Sequence, residues 1–213
     1  MPFTDRFEAG RRLAEKLSVY RGKDPLILAV PRGGVTVAEP IRKALGGELD
    51  LIITRKIGAP HQNELAIGAV TGDGFTMLND QLISRLGVTS GYLDDAARKE
   101  KEEIIRRLKL YRGSRPMPFA DNRLVILVDD GVATGYTLLA ALRSLQEKKP
   151  QKLVLAVPVG PPDTLARLKK EVDELVYLEA PENFAAVGQF YLRFEQVSDQ
   201  EVVSILNNAW NNN

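Results

Sequence analysis

Val125-Ile126-Leu127-Val128-Asp129-Asp130-Gly131-Val132-Ala133-Thr134-Gly135-Tyr136-Thr137 is the stretch on which the fold of this 213-residue chain turns. An apolar run delivers two adjacent carboxylates, a short loop containing glycine and threonine follows, and a helical pattern takes over from Thr137 to Glu147. Such a run is a buried strand, and open α/β sheets collect ligands outside the carboxyl ends of their strands. The loop turns successive N–H groups toward one point, and the first helical turn adds unpaired donors with a favourable dipole. This makes an anion pocket of phosphate size, to which the hydroxyls of Thr134 and Thr137 add donors. Paired carboxylates accept hydrogen bonds from hydroxyls, so a phosphate with a neighbouring diol is the ligand that suits the stretch. The missing Gly-Lys-Ser/Thr ending excludes a nucleotide P-loop, and Gly131 to Thr137 does not match the dinucleotide Gly-x-Gly-x-x-Gly fingerprint.

Working outward, Leu26 to Val30 is a second apolar run that ends in Pro31-Arg32-Gly33-Gly34 before a helical pattern, Val37 to Leu45. Glycines let the backbone approach a ligand closely, and Arg32 can pair with a phosphate in a fork. Alone, Arg-Gly-Gly is an ordinary strand-to-helix turn. Leu49 to Thr54 predicts a further strand, followed by Arg55-Lys56 and a mobile loop, Ala59 to Glu64, that contains His61. Ala66 to Val70 and Phe75 to Leu78 flank Thr71-Gly72-Asp73-Gly74, the turn chemistry of a β-hairpin. Two more strands, Leu153 to Val157 and Leu175 to Leu178, bracket a helix from Pro162 to Lys170. Apolar runs of about five residues alternating with helices predict an α/β fold: an open, mainly parallel sheet of about five strands with helices on both faces.

The opening segment predicts an amphipathic helix covering that sheet, with Asp5 and Glu8 at capping-box spacing and Phe7, Ala14 and Leu17 on one face. Ser90 to Tyr111 predicts a long helix whose apolar residues Leu93, Ala97, Ile104, Leu108 and Tyr111 share one side, leaving its charges as a solvated face. Ser198 and Glu201 open a last helix. No repeat or linker divides residues 1–213, so a single domain is expected, with a helical insertion at about 80–113.

The apolar strand, Asp-Asp, small loop and Thr-Gly-x-Thr resemble the motif with which type I phosphoribosyltransferases bind 5-phosphoribosyl-1-diphosphate (PRPP). The resemblance implies that Asp129 and Asp130 meet the ribose 2′ and 3′ hydroxyls and that Ala133, Thr134, Gly135, Tyr136 and Thr137 hold the 5′-phosphate. It implies a pyrophosphate loop at Arg32, Gly33 and Gly34, and a loop carrying Arg55 and Lys56 that closes over pyrophosphate. Asp129, Asp130, Arg32 and Lys56 are the expected catalytic set, and Mg2+ near the acidic pair is the expected cofactor. Pro181-Glu182-Asn183-Phe184 with Gly188 is similar to the hood of hypoxanthine-guanine phosphoribosyltransferases, where the glycine comes one residue sooner. A hood is thus expected at about 180–213 plus the N-terminal segment, with Phe184, Glu64 and His61 facing the acceptor. Phe184 is either a stacking platform or core, and His61 either a loop-closure contact or a solvated side chain. Those enzymes carry an aspartate at the position of Ala133, whereas adenine phosphoribosyltransferases carry alanine, so the acid-base group of a 6-oxopurine enzyme is missing.

The expected activity is transfer of the 5-phosphoribosyl group from PRPP to a nitrogen acceptor such as a nucleobase, in nucleotide salvage, with release of pyrophosphate. The alternative is a noncatalytic PRPP-sensing regulator of the same fold. With 29 basic and 28 acidic side chains, no global field steers the chain toward nucleic acid or membrane. Without cysteine and with one histidine it has no thiolate zinc site, disulfide or cysteine nucleophile. No signal peptide or membrane span is legible, so a cytoplasmic location is expected. The oligomeric state stays open, the resemblance pointing to a homodimer.

Overall fold

The computed structural model describes residues 2–211, the side chains of Asn63 and Glu64 falling outside the description. In chain order the elements are α1 (Arg6–Lys16), β1 (Leu26–Ala29), α2 (Gly33–Leu45), β2 (Glu48–Leu51), β3 (Thr54–Ala59), β4 (Gln62–Thr71) and β5 (Thr76–Leu78). They continue with α3 (Asp80–Leu86), α4 (Ser90–Arg112), β6 (Leu124–Val128), α5 (Tyr136–Glu147), β7 (Lys152–Val159), α6 (Pro162–Lys169), β8 (Glu174–Glu179) and α7 (Asp199–Asn211).

The parallel sheet has five strands in the order β2-β1-β6-β7-β8, and its register sets Ala29 beside Val128. Alternate residues explain why the central strands β1 and β6, and β7 after Lys152, are apolar throughout. Ile27, Ala29, Ile126, Val128, Val154 and Ala156 face α1, α2 and α7, while Leu26, Leu28, Val125, Leu127, Leu153 and Leu155 face α5 and α6. Helices on both faces of a parallel sheet are the architecture the sequence predicts. Asp5 caps α1 by accepting from Glu8 N at 2.9 Å, and Ser198 and Glu201 exchange backbone and side-chain bonds across the start of α7. The helix α1 crosses α2 so closely that a Cβ on Gly10 would lie 2.3 Å from the Val37 carbonyl oxygen. The buried face of α1 is Arg6, Ala9, Gly10, Leu13 and Ala14, so Phe7 is exposed, contrary to expectation.

Two expectations for residues 49–64 fail. Leu49 to Thr54 is not a single strand: β2 ends at Leu51, Ile52 and Ile53 cross between the two apolar clusters, and β3 starts at Thr54. The run is apolar because the chain passes through the core there. The loop expected from Ala59 to Glu64 is mostly strand, with Pro60 and His61 joining β3 to β4 in a three-stranded antiparallel sheet β3-β4-β5. Register shifts between Ile57 and Ala59 break the alternation that signals a strand.

Where Thr71-Gly72-Asp73-Gly74 turns, Asp73 ties the small sheet to α5. Its carboxylate accepts from Thr71 Oγ1, Phe75 N, Ser144 Oγ at 2.9 Å and Lys148 Nζ at 2.9 Å. Burial opposes the charge, yet these partners hold the carboxyl at about 2, below its usual 3.8. A depressed carboxyl contributes stability above its unfolded pKa and loses it as pH falls, here from about 4 toward about 2. Asp73→Asn should therefore flatten the fall of unfolding free energy across that window by about 1–2 kcal/mol, after allowing for solvent screening. Urea unfolding at a series of acid pH values measures this.

The helix α4 buries Ile104 and Tyr111 and keeps its charges in pairs such as Glu103 with Arg106 and Arg107. Arg112, at its end, turns inward. Its Nη2 and Nε donate to Asp50 Oδ1 at 2.7 and 3.0 Å, and Nη2 also to Leu51 O at 3.0 Å. Burial pushes the Asp50 carboxyl up, and Arg112 pulls it the other way. Among the described residues no helix is long and apolar enough to cross a membrane.

Candidate active site

Because β1 and β6 are neighbours in register, the segments that leave their carboxyl ends lie side by side. Val30 N donates to Val128 O at 2.9 Å, and Gly34 N to Val30 O at 3.1 Å, which turns the chain into α2. The absence of side chains at Gly33 and Gly34 then has a direct cause. A Cβ on Gly33 would stand 1.8 Å from Asp130 Oδ2, and one on Gly34 would stand 2.8 Å from Val128 O and 3.0 Å from Asp129 Cα. Gly33→Ala should cost about 1–3 kcal/mol by overpacking against the fixed carboxylate. Gly91→Ala, with open space around it in α4, should be neutral or stabilising, and chemical denaturation of the two variants compares them.

The acidic pair is part-buried and mutually organised. Asp130 N donates to Asp129 Oδ1 at 2.8 Å, and Arg6 Nε donates to Asp130 Oδ2 at 2.7 Å. Burial raises both carboxyls, Asp129 further because the Asp130 charge adds to it, while Arg6 opposes the rise at Asp130. One oxygen of each carboxylate, Asp129 Oδ2 and Asp130 Oδ1, is outside these bonds.

After the pair the chain passes through Gly131 and enters α5 at Gly135, which adopts φ 73° as the helix cap. A Cβ at Gly131 would meet Val187 at 2.5 Å, so the covering segment presses on this turn. Ala133 O accepts from Thr164 Oγ1 at 2.9 Å and Thr134 O accepts from Arg167, both on α6. In a trans peptide the next N–H points opposite to its carbonyl, so the N–H groups of Thr134 and Gly135 face away from α6. Arg167 also stacks on Tyr136, 5.4 Å from the ring centre. Thr137 lies in the first turn, where N–H groups lack helical acceptors. The loop is thus held from α6 by its outer face.

Arg32 caps the start of α2, and its Nη1 lies 3.7 Å from Asp199 Oδ1 at the start of α7. The same Asp199 oxygen accepts from Tyr111 Oη at 2.6 Å; burial and this carboxylate push the Tyr111 hydroxyl up to about 12. The other expected residues are not brought to the acidic pair by contacts. Arg55 pairs with Glu100 of α4, and Lys56 is exposed on β3. His61 is exposed at the β3–β4 turn with φ 61°, and the side chain of Glu64 lies outside the described residues. Phe184 stacks on Phe190, 5.2 Å between ring centres, half-buried against the small apolar cluster of Phe3, Ala9, Val159 and Tyr191.

Tyr191 Oη donates to Asp130 O at 2.6 Å, and a bridge between Phe3 and Tyr191 joins both ends of the chain over the site. The phosphoribosyl transferase domain model matches residues 4–195, which takes in both strand-end loops, the acidic pair, Arg6 and Tyr191. The chain belongs to that family.

A Mycobacterium tuberculosis protein named as a phosphoribosyl transferase is 42% identical over 207 residues, which is 97% of this phosphoribosyl transferase chain and 47% of the relative. The chain therefore spans about half the length of the curated relatives it matches. The bifunctional protein PyrR of Deinococcus radiodurans is 33% identical over 145 residues, covering 62% of this chain and 74% of that protein. The crystal structure of TT1426 from Thermus thermophilus superimposes with a TM-score of 0.84 at 42% identity, covering 98% of this chain and 99% of that one. The type I phosphoribosyltransferase fold expected from the motif is the fold observed.

Arg6, Tyr191, Thr164, Arg167 and Asp199 were given no place in the site by the sequence. Each acts from an element distant along the chain, and none sits in a motif of its own.

Proposed function

We propose that this chain transfers the 5-phosphoribosyl group of PRPP to a nitrogen acceptor, a nucleobase being the class in view, with release of pyrophosphate. The observation that carries the reading is the packing of Gly33 and Gly34 directly against Asp130 and Asp129, beside a loop whose Thr134 and Gly135 N–H groups face away from α6. One small molecule that bears a diphosphate, a diol and a phosphate suits these neighbours. Asp129 Oδ2 and Asp130 Oδ1 accept from the ribose hydroxyls, Thr134 to Thr137 take the 5′-phosphate, and Arg32 with the Gly33 and Gly34 backbone takes pyrophosphate.

The bond from the anomeric carbon to the pyrophosphate oxygen breaks with its electron pair leaving on pyrophosphate. The acceptor nitrogen forms the new bond with its lone pair and gives up its proton to water. Arg32 opposes the charge that builds on the departing group, and the carboxylates hold the sugar so that the reacting carbon meets the acceptor. Among the described residues no group of three or more histidine, cysteine, aspartate or glutamate residues could cage a metal. Two hard carboxylate oxygens beside a phosphate-binding loop fit Mg2+, which takes few protein ligands and keeps water and phosphate oxygens. Asp129 and Asp130 would hold it, and when bound with PRPP it would neutralise pyrophosphate charge.

Calorimetric titration with PRPP, with and without Mg2+, followed by assay of pyrophosphate release with a panel of nucleobases, tests the reading. Magnesium-dependent binding and release with one base support it. Binding without release across the panel favours a PRPP-sensing regulator, and absence of binding overturns the reading.

A further inference from the structure

We propose that Arg6 is a positioning residue of the ribose site, which fixes Asp130 by occupying one carboxylate oxygen and aims the other at the ligand. The inference rests on the phosphoribosyl reading and adds to it a residue from outside both phosphate loops.

Arg6 is the first residue of α1, and its side chain is only 11% exposed. Three contacts hold the guanidinium. Nε donates to Asp130 Oδ2 at 2.7 Å, Nη1 donates to Glu195 O at 2.9 Å, and the group lies 3.8 Å from the centre of the Phe194 ring. Withdrawing it would leave a buried charge unpaired and the Glu195 carbonyl without its donor, so it stays when ligand arrives. With Oδ2 taken, Asp130 has one oxygen to offer; Asp129, whose Oδ1 accepts from Asp130 N, likewise has one. Rotation of the Asp130 carboxylate is restricted before binding, and a pre-oriented acceptor loses less freedom when it binds a hydroxyl.

The planar fork matters as much as the charge. A guanidinium joins a carboxylate and a carbonyl in its plane while its face lies on an aromatic ring, and a lysine ammonium has no such plane. The backbone on both sides is fastened too: Phe3 N donates to Phe190 O at 2.7 Å, and Leu192 N donates to Phe3 O at 2.8 Å. Asp130 is therefore gripped twice from the cover, at its side chain by Arg6 and at its main-chain oxygen by Tyr191.

The test uses ribose 5-phosphate and pyrophosphate as separate calorimetric ligands, with the parent chain, Arg6→Gln, Arg6→Lys, Asp130→Asn and the Arg6→Gln/Asp130→Asn pair. Arg6→Gln should bind ribose 5-phosphate about tenfold more weakly, or worse, with pyrophosphate affinity kept within about twofold. The same change should add almost nothing in the Asp130→Asn background, and Arg6→Lys should fall between parent and Arg6→Gln. A merely structural Arg6 would weaken both ligands alike and would act equally with and without Asp130; that pattern, or an unchanged ribose 5-phosphate affinity, overturns the inference. Should Arg6→Gln not fold, Arg6→Lys carries the same two-ligand comparison. A parent chain that binds neither ligand defeats the functional reading and the inference together, whereas a binding parent with an indifferent Arg6→Gln defeats the inference alone.

Discussion

Asp130→Asn is expected to weaken PRPP binding about 10- to 100-fold while leaving the fold in place. The change keeps the volume of the side chain and one oxygen for Arg6, but puts an amide NH2, a donor, where the second carboxylate oxygen accepted, and removes the charge. A hydrogen bond to a charged group contributes about 1.5–3 kcal/mol, which sets the size of the loss. Calorimetry gives the affinity, and an unfolding curve close to that of the parent confirms that the pair with Arg6, at 2.7 Å, has been replaced without collapse. Undiminished affinity in a folded variant would remove Asp130 from the ligand site.

Arg112→Met is expected to destabilise the chain by about 3–5 kcal/mol, seen as a lower urea midpoint, because it strands the Asp50 carboxylate in the core. Asp50 is fully buried and Arg112 nearly so. Burial already raises the Asp50 carboxyl with Arg112 pulling against it, so loss of the arginine raises it further. A raised carboxyl carries its stability below the unfolded pKa and loses it as pH rises through the folded value. The deficit of Arg112→Met should therefore be larger at neutral than at mildly acid pH. Adding Asp50→Leu should recover part of it, since an apolar pair can replace a buried ion pair with little loss. No recovery would mean that the end of α4 is docked by something other than this pair.

The parallel sheet was legible because its central strands β1, β6 and β7 are apolar on both faces, a pattern that needs no partner to be recognised. The stretch from Val125 to Thr137 was legible because strand, carboxylates, loop and helix start are contiguous. Residues 49–64 were misread because one apolar run spans a strand end and a crossing between clusters, and because a strand with register shifts loses its alternation. Arg112 stands at a helix end, where any basic residue suits the dipole, and only the position of Asp50 in three dimensions shows that it turns inward. Arg6 stood in a sequence, Asp5-Arg6-Phe7-Glu8, that any solvated helix start could have. Its partners lie 124 and 189 positions away, and no local pattern records a contact of that span.

Those spans bear on how the chain comes to be folded. Loop closure between distant residues is slow, and a ribosome delivers residue 6 long before residue 195. The β1–α2 unit can begin to fold while synthesis continues, but Arg6 has neither its carboxylate nor its carbonyl until the second half of the chain has emerged. Phe3 must likewise wait for Tyr191. The cover over the acidic pair thus closes late in folding, and a chain cut short before residue 190 would keep the loop at 133–137 without the contacts that Tyr191 makes to Asp130 and Glu195 makes to Arg6.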